Sequence, residues 1–172
     1  MGVANYKGTV KYAEEYGWDL VAAEIYDRGL PDFKPTLSKM KAAGPEVLLT
    51  VPYLTDLILQ IRHMREIDFN VKAVICNGGA GAQTIEFPKA AGPDAEYMFS
   101  ASEYWGDRTP DHVKFNKKFS DKYGTYADFQ SSCAYTHVYV LADAVRRARA
   151  IDKDKIRDAM AETDMLLPMW GR

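Results

Sequence analysis

Apolar positions in the first hundred residues follow two periods in turn. Val3, Tyr6, Val10, Ala13 and Tyr16 fall near the 3.6-residue spacing of one helix face, and Gly17 follows as a stop, so the pattern predicts a helix over residues 3–16. Residues 20–26 carry enough β-branched and aromatic side chains to predict a strand ending at Asp27-Arg28-Gly29. Asp32 is placed to cap the next helix, Pro35 falls in its first turn, and Gly44-Pro45 terminates it. A second strand is predicted over residues 47–51. The helix after it, running to Ile67, shows a core-facing stripe of Leu54, Leu57, Ile58, Ile61 and Met64. Residues 71–76 predict a further strand, residues 84–91 a short helix near Pro88, and residues 97–101 another strand. Strands separated by helices imply an α/β fold with a doubly wound, mainly parallel sheet.

The texture changes at Glu103-Tyr104-Trp105-Gly106-Asp107, a polar and aromatic stretch that reads as a hinge or linker. Beyond it the pattern is helical. Residues 110–123 present Val113, Phe115 and Phe119 and close at Gly124. Residues 127–150 place Tyr135, Val138, Tyr139, Ala142 and Val145 on one stripe, with Arg146, Arg147 and Arg149 near the negative helix end. Asp152 caps a last helix over 153–162. The end, Leu166-Leu167-Pro168-Met169-Trp170-Gly171, is apolar enough to require a cover.

In an open α/β sheet, ligands are held at the carboxyl ends of strands. Two such ends stand out. Residues 47–53 break at Pro52, with Tyr53 just beyond. Residues 71–76 empty into Asn77-Gly78-Gly79-Ala80-Gly81, whose glycines let bare backbone approach a small molecule. Tyr53, Asn77, Gly78 and Gly79 are therefore candidate ligand contacts, and Tyr104 and Trp105 join them as aromatics at the hinge. Trp105 can equally serve in packing between lobes, whereas for Tyr53 ligand contact is the leading reading over packing on a strand end. Asp56 can face the ligand or merely complement a helix N-terminus.

Chemistry beyond binding finds no support in the sequence. The 22 basic and 24 acidic residues are interspersed, giving a formal charge of −2, which leaves no footprint for nucleic acid or an anionic membrane. No apolar run approaches the length of a spanning helix. Cys76 and Cys133 lack metal or redox spacing, and His63, His112 and His137 sit on three different predicted helices, so no metal site is expected. No nucleophile elbow is present. Gly79-Ala80-Gly81 supplies only two glycines of a dinucleotide fingerprint because Thr84 takes the third place. The expectation is a binding protein with no catalytic residues and no cofactor, a nucleotide-dependent oxidoreductase being the distant alternative.

The order of the elements adds a resemblance. Glu24-Ile25-Tyr26, Asp32-Phe33, Leu37, Lys41 and Gly44-Pro45-Glu46-Val47, followed by Tyr123-Gly124, Ala134-Tyr135, Leu141-Ala142-Asp143-Ala144, Ile156-Arg157-Asp158-Ala159-Met160 and Thr163-Asp164, resemble the type I periplasmic solute-binding proteins of ABC importers, the branched-chain amino-acid-binding family. The resemblance implies a Venus-flytrap fold in which two α/β lobes trap a small ligand. On that reading residues 1–104 are most of lobe two, 105–121 a crossing segment and helix, and 122–172 a helical return belonging to lobe one. Both lobes would be incomplete and self-association would follow. It further implies a periplasmic or lipid-anchored extracellular location and an ABC permease as membrane partner. A ligand-sensing ectodomain of a signalling receptor is the alternative. The resemblance matches Tyr53 to an aromatic ligand contact. It matches Gly78 to the place where amino-acid binders carry an acid for the ligand's ammonium group, so the expected ligand is a small carboxylate, an aromatic acid or an amino-acid-like molecule, with a carboxylate or neutral ligand favoured over branched-chain amino acids.

Overall fold

A computed structural model describes residues 2–78, 81–102, 104, 106–167 and 169–170. The chain divides into two compact units, Met1–Ala101 and Ser102–Arg172.

In the first unit, α1 (Gly2–Tyr16) and α2 (Lys34–Ala42) precede β1 (Val47–Thr50), α3 (Leu54–Glu66), β2 (Ala73–Cys76), α4 (Glu86–Ala91), a single 3₁₀ turn (Gly92–Ala95) and β3 (Met98–Ser100). The three strands form a parallel sheet in the order β1-β2-β3, with Leu48, Val74 and Met98 in register. Parallel neighbours need a crossover between them, and α3 and α4 with the 3₁₀ turn supply it. Alternation along the strands sends Leu48, Thr50, Val74 and Cys76 inward onto Leu37, Leu57, Ile61, Met64 and Phe87 of the helices. Leu57 and Cys76 are fully buried there. On the opposite face Leu49, Ile75 and Phe99, also in register, remain exposed. The fold is α/β with a parallel sheet, as the alternation of strand and helix signals predicts.

Three local expectations are corrected. Residues 20–26 are not part of the sheet. A strand exists only through its ladder; here Leu20, Val21 and Ile25 stay exposed, while Tyr26 turns inward, its ring edge-on to Phe33 at 4.9 Å between centroids. Asp32 does not occupy the α2 cap position, which is Phe33; its carboxylate instead accepts the Lys34 N–H at 2.9 Å. The helix predicted over 84–91 starts at Glu86, and its chain continues into the 3₁₀ turn because Pro93 cannot extend an α-helix.

The second unit is helical: α5 (Pro110–Tyr123), α6 (Phe129–Ala148) and α7 (Lys153–Ala161). Side chains cap each start. Thr109 accepts the His112 N–H, Asp128 the Ser131 N–H at 2.8 Å, and Asp152 the Asp154 and Lys155 N–H groups. Gly124 ends α5 in the left-handed region at φ 71°, the conformation glycine adopts without Cβ strain. Arg147 ties α6 to α7. It reaches Asp143 at 2.7 Å, the Ala159 carbonyl and the Thr163 hydroxyl at 2.8 Å. On α6, Ser132, Thr136 and Ala144 are buried, while Tyr135, Val138 and Tyr139 of the predicted apolar stripe are exposed. Trp170 packs edge-on against Phe129, which covers part of the apolar end; Leu166 stays exposed, and Pro168 and Gly171 lie outside the described residues.

Candidate functional site

Because β1 and β2 are parallel neighbours, their carboxyl ends open on the same edge of the sheet. The Asn77 N–H donates to the Thr50 carbonyl at 3.0 Å, carrying the ladder one step past both strands and fixing where the two loops part. On the β1 side the buried Pro52 leads to Tyr53, which stands at the start of α3 in extended conformation with its side chain 39% exposed. On the β2 side Asn77 is exposed, and its amide donates to the Asn5 side chain of α1 at 3.3 Å. Gly78 follows at φ 73°, where a side chain would strain the backbone. The loop then returns so close that a Cβ on Gly81 would lie 3.0 Å from the Pro52 carbonyl oxygen and 3.1 Å from Leu57, so the two strand ends are packed against each other. Tyr53, Asn77 and Gly78 thus share one edge. Gly79 lies outside the described residues.

Beneath this edge is a buried polar layer. The Thr50 hydroxyl donates to Gln60 Oε1 at 2.8 Å. Burial pushes the Tyr26 phenol above its ordinary value; Gln60 and Thr50 lie close enough to pull partly the other way, although its hydroxyl makes no hydrogen bond of ordinary geometry. Burial likewise raises the Cys76 thiol, which argues against nucleophilic reactivity. Asp56, 4% exposed, faces the Gly29 N–H with both oxygens, at 3.3 and 3.4 Å. That contact fastens the turn after the extended segment to the first turn of α3. It also holds Arg28 at the edge, where the guanidinium lies over the Tyr53 ring at 4.1 Å from its centroid. Arg28 was singled out by no sequence motif. Its one signal is position, an arginine directly after the apolar run of residues 20–26.

The remaining candidates have other settings. Tyr104 belongs to the second unit and is 4% exposed, its ring packed on His112 at 5.2 Å and edge-on to Phe115 at 6.2 Å. Burial, and then the Asp128 charge, push its phenol above the ordinary value. Its side chain is committed to local packing rather than displayed. Trp105 and Glu103 lie outside the described residues. Of the histidines, His63 is buried and its Nδ1 accepts the Phe33 N–H at 3.1 Å. A nitrogen that accepts there carries no proton to share, so its 3.4 Å approach to Asp32 is proximity rather than an ion pair. His112 is buried against Tyr104, with Nδ1 on the Thr109 hydroxyl at 2.6 Å. Among the described residues no group of three or more His, Cys, Asp or Glu side chains could hold a metal ion, and no helix is long and apolar enough to cross a membrane.

A sequence profile described as "Periplasmic binding protein" matches residues 1–171. The chain belongs to the periplasmic binding protein family. This is a family of binding proteins, not enzymes, and its type I, branched-chain amino-acid-binding branch is the one to which the relatives point. A Leu/Ile/Val-binding protein homolog from Brucella suis is 24% identical over 160 residues, covering 90% of this chain and 40% of the relative. Among solved structures, a leucine-binding protein of Thermotoga maritima superposes with a TM-score of 0.82 at 23% identity, over 94% of this chain and 46% of that one. A branched-chain amino-acid transporter substrate-binding protein of Streptococcus pneumoniae, solved with isoleucine, gives 0.81 at 22% identity over 96% and 47%. At such identities the likeness shows the fold. The present periplasmic binding protein chain spans under half the length of these relatives.

Proposed function

We propose that the first unit supplies one ligand-contacting face of an extracytoplasmic solute-binding component of an ABC importer, which holds a small molecule without converting it. The observation that carries the reading is the shared edge of β1 and β2, where Tyr53, Asn77 and Gly78 lie together above a packed polar layer. Family membership supports the role and the location, and the relatives' printed names supply the ligand class to compare against: leucine, isoleucine and valine. Gly78, matched by resemblance to the position of the ammonium partner, carries no acid and argues for a different ligand. With no acid at the position that resembles the ammonium partner, burying an ammonium group would leave it uncompensated, which is costly. A small carboxylate, an aromatic acid or an amide fits better.

The test is a titration of the 172-residue chain followed by amide and side-chain NMR, which detects millimolar binding to a single face. Leucine, isoleucine and valine are compared with 4-methylpentanoate, which is leucine without its ammonium group, and with benzoate. The acids should move the Tyr53 and Asn77 resonances at lower concentration than the amino acids, and each ligand should be recovered unchanged. Saturable shifts from the three amino acids with none from the acids would overturn the assignment of ligand class.

A further inference from the structure

Gly78 offers no charge to an ammonium group, and a carboxylate ligand on this edge still needs a cation to pair with it. We infer that Arg28 is the specificity-determining cation of this face, pairing with an anionic group of a ligand that lies beside the Tyr53 ring. The inference rests on the proposed solute-binding role of the edge and adds the residue that selects among solutes.

Three observations converge on it. First, the guanidinium is held but not neutralised: it lies 4.1 Å from the Tyr53 ring centroid, and no ion pair or hydrogen bond joins it to another described residue. Arg65, Arg146, Arg147 and Arg157, by contrast, each reach a carboxylate oxygen within 3.1 Å. With the ring as its one contact among the described residues, the guanidinium keeps N–H groups with which to meet a carboxylate in the fork geometry that arginine favours. Second, the backbone carrying it is fixed. Asp56, buried at the first turn of α3, holds the N–H of the next residue, Gly29, so Arg28 is presented by an anchored turn and not by a free loop. Third, no acid of the neighbouring turns is turned onto it. Asp56 is turned onto Gly29, and Gly78 offers no charge. Asp27, the exposed neighbour of Arg28, makes no ion pair with it.

A lysine could not replace this arrangement fully, since it has neither the plane that stacks nor the paired donors. Preorganisation matters because the side-chain freedom normally lost on binding is already spent in the stack.

The experiment uses the 172-residue chain, its Arg28→Gln and Arg28→Lys variants, and two matched probes, 4-methylpentanoate and 4-methylpentanamide, titrated by NMR at low and at moderate salt. For the wild-type chain the acid should bind at least tenfold more tightly than the amide, and the preference should shrink as salt rises. Arg28→Gln should abolish the preference, and Arg28→Lys should restore only part of it. Slow exchange of the Leu57 amide in each variant verifies that the unit is folded. An acid preference that survives Arg28→Gln overturns the inference and leaves the solute-binding role standing. Failure of both probes to move Tyr53 or Asn77 in the wild-type chain overturns the inference and that role together.

Discussion

Replacing Asp56 by alanine tests the strut under the candidate edge. The carboxylate is nearly fully buried, yet its only hydrogen bonds to described residues come from the Gly29 N–H, at 3.3 and 3.4 Å. Both lengths exceed the usual range for N–H···O, so the pair counts as one shared, charge-assisted bond at the weak end, about 1.5 kcal/mol. Its place in the first turn of α3 adds roughly 0.5 kcal/mol from the helix N-terminus. Two effects act the other way: alanine removes the cost of burying a charge, and Gly29 is exposed enough for water to replace the lost acceptor. The expected net loss is therefore about 1.5 kcal/mol, concentrated in the turn. Read by hydrogen exchange, that is about a tenfold rise in the Gly29 amide rate, since 1.4 kcal/mol is a factor of ten. Asp56→Asn keeps an acceptor of the same shape and should lose about half as much. The Arg28 contact with Tyr53 should loosen in step, visible as a drift of the Arg28 side-chain resonances from ring-shielded, upfield positions toward random-coil values. An Asp56→Ala chain whose Gly29 amide exchanges at the wild-type rate would refute the reasoning.

A buried polar pair in the first unit and an ion pair in the second give two other tests. Thr50→Val removes the donor to Gln60 and leaves a buried amide oxygen unsatisfied, which should cost about 1–3 kcal/mol in urea unfolding; adding Gln60→Leu should recover part of the loss, and an unchanged midpoint in the single variant would count against the layer's role. Asp143 is held below the ordinary carboxylate value by Arg147 first and Arg146 second. Its contribution is thus present in full above the unfolded value near pH 4 and lost as pH falls through the folded one. Asp143→Asn should flatten the acid loss of α7 helicity seen by circular dichroism, and identical acid profiles would show that the ion pair does not hold α7.

Much of the first unit was legible because its signals are local. The stripe through Leu57, Ile61 and Met64 has one reading at a 3.6-residue period, and the break at Pro52 marks a strand end whatever the tertiary setting. Residues 20–26 were misread because strand propensity is a statement about packing and pairing, and their backbone finds no ladder. The 3₁₀ turn escaped notice since Gly92-Pro93 reads as a plain break. At the edge, Tyr53 and Asn77 were marked by being next after strands, whereas Tyr104 looked displayed and is buried, a difference decided by Phe115 and His112 folding back from α5. Arg28 and Asp56 take their meaning from a contact 27 residues apart, between Gly29 and Asp56, which no periodicity contains.

The order β1-β2-β3 has a consequence for synthesis. The strands stand side by side in the order in which a ribosome releases them, and each addition is made at the outer margin of what already exists. None of the three described strands has to wedge between two that are already joined, and each join closes a loop of only a few tens of residues, whose entropic cost grows slowly with length. The β1-β2 pair with α3 over it can therefore assemble while the later chain is still emerging, so the surface bearing Tyr53 and Asn77 takes shape before synthesis ends.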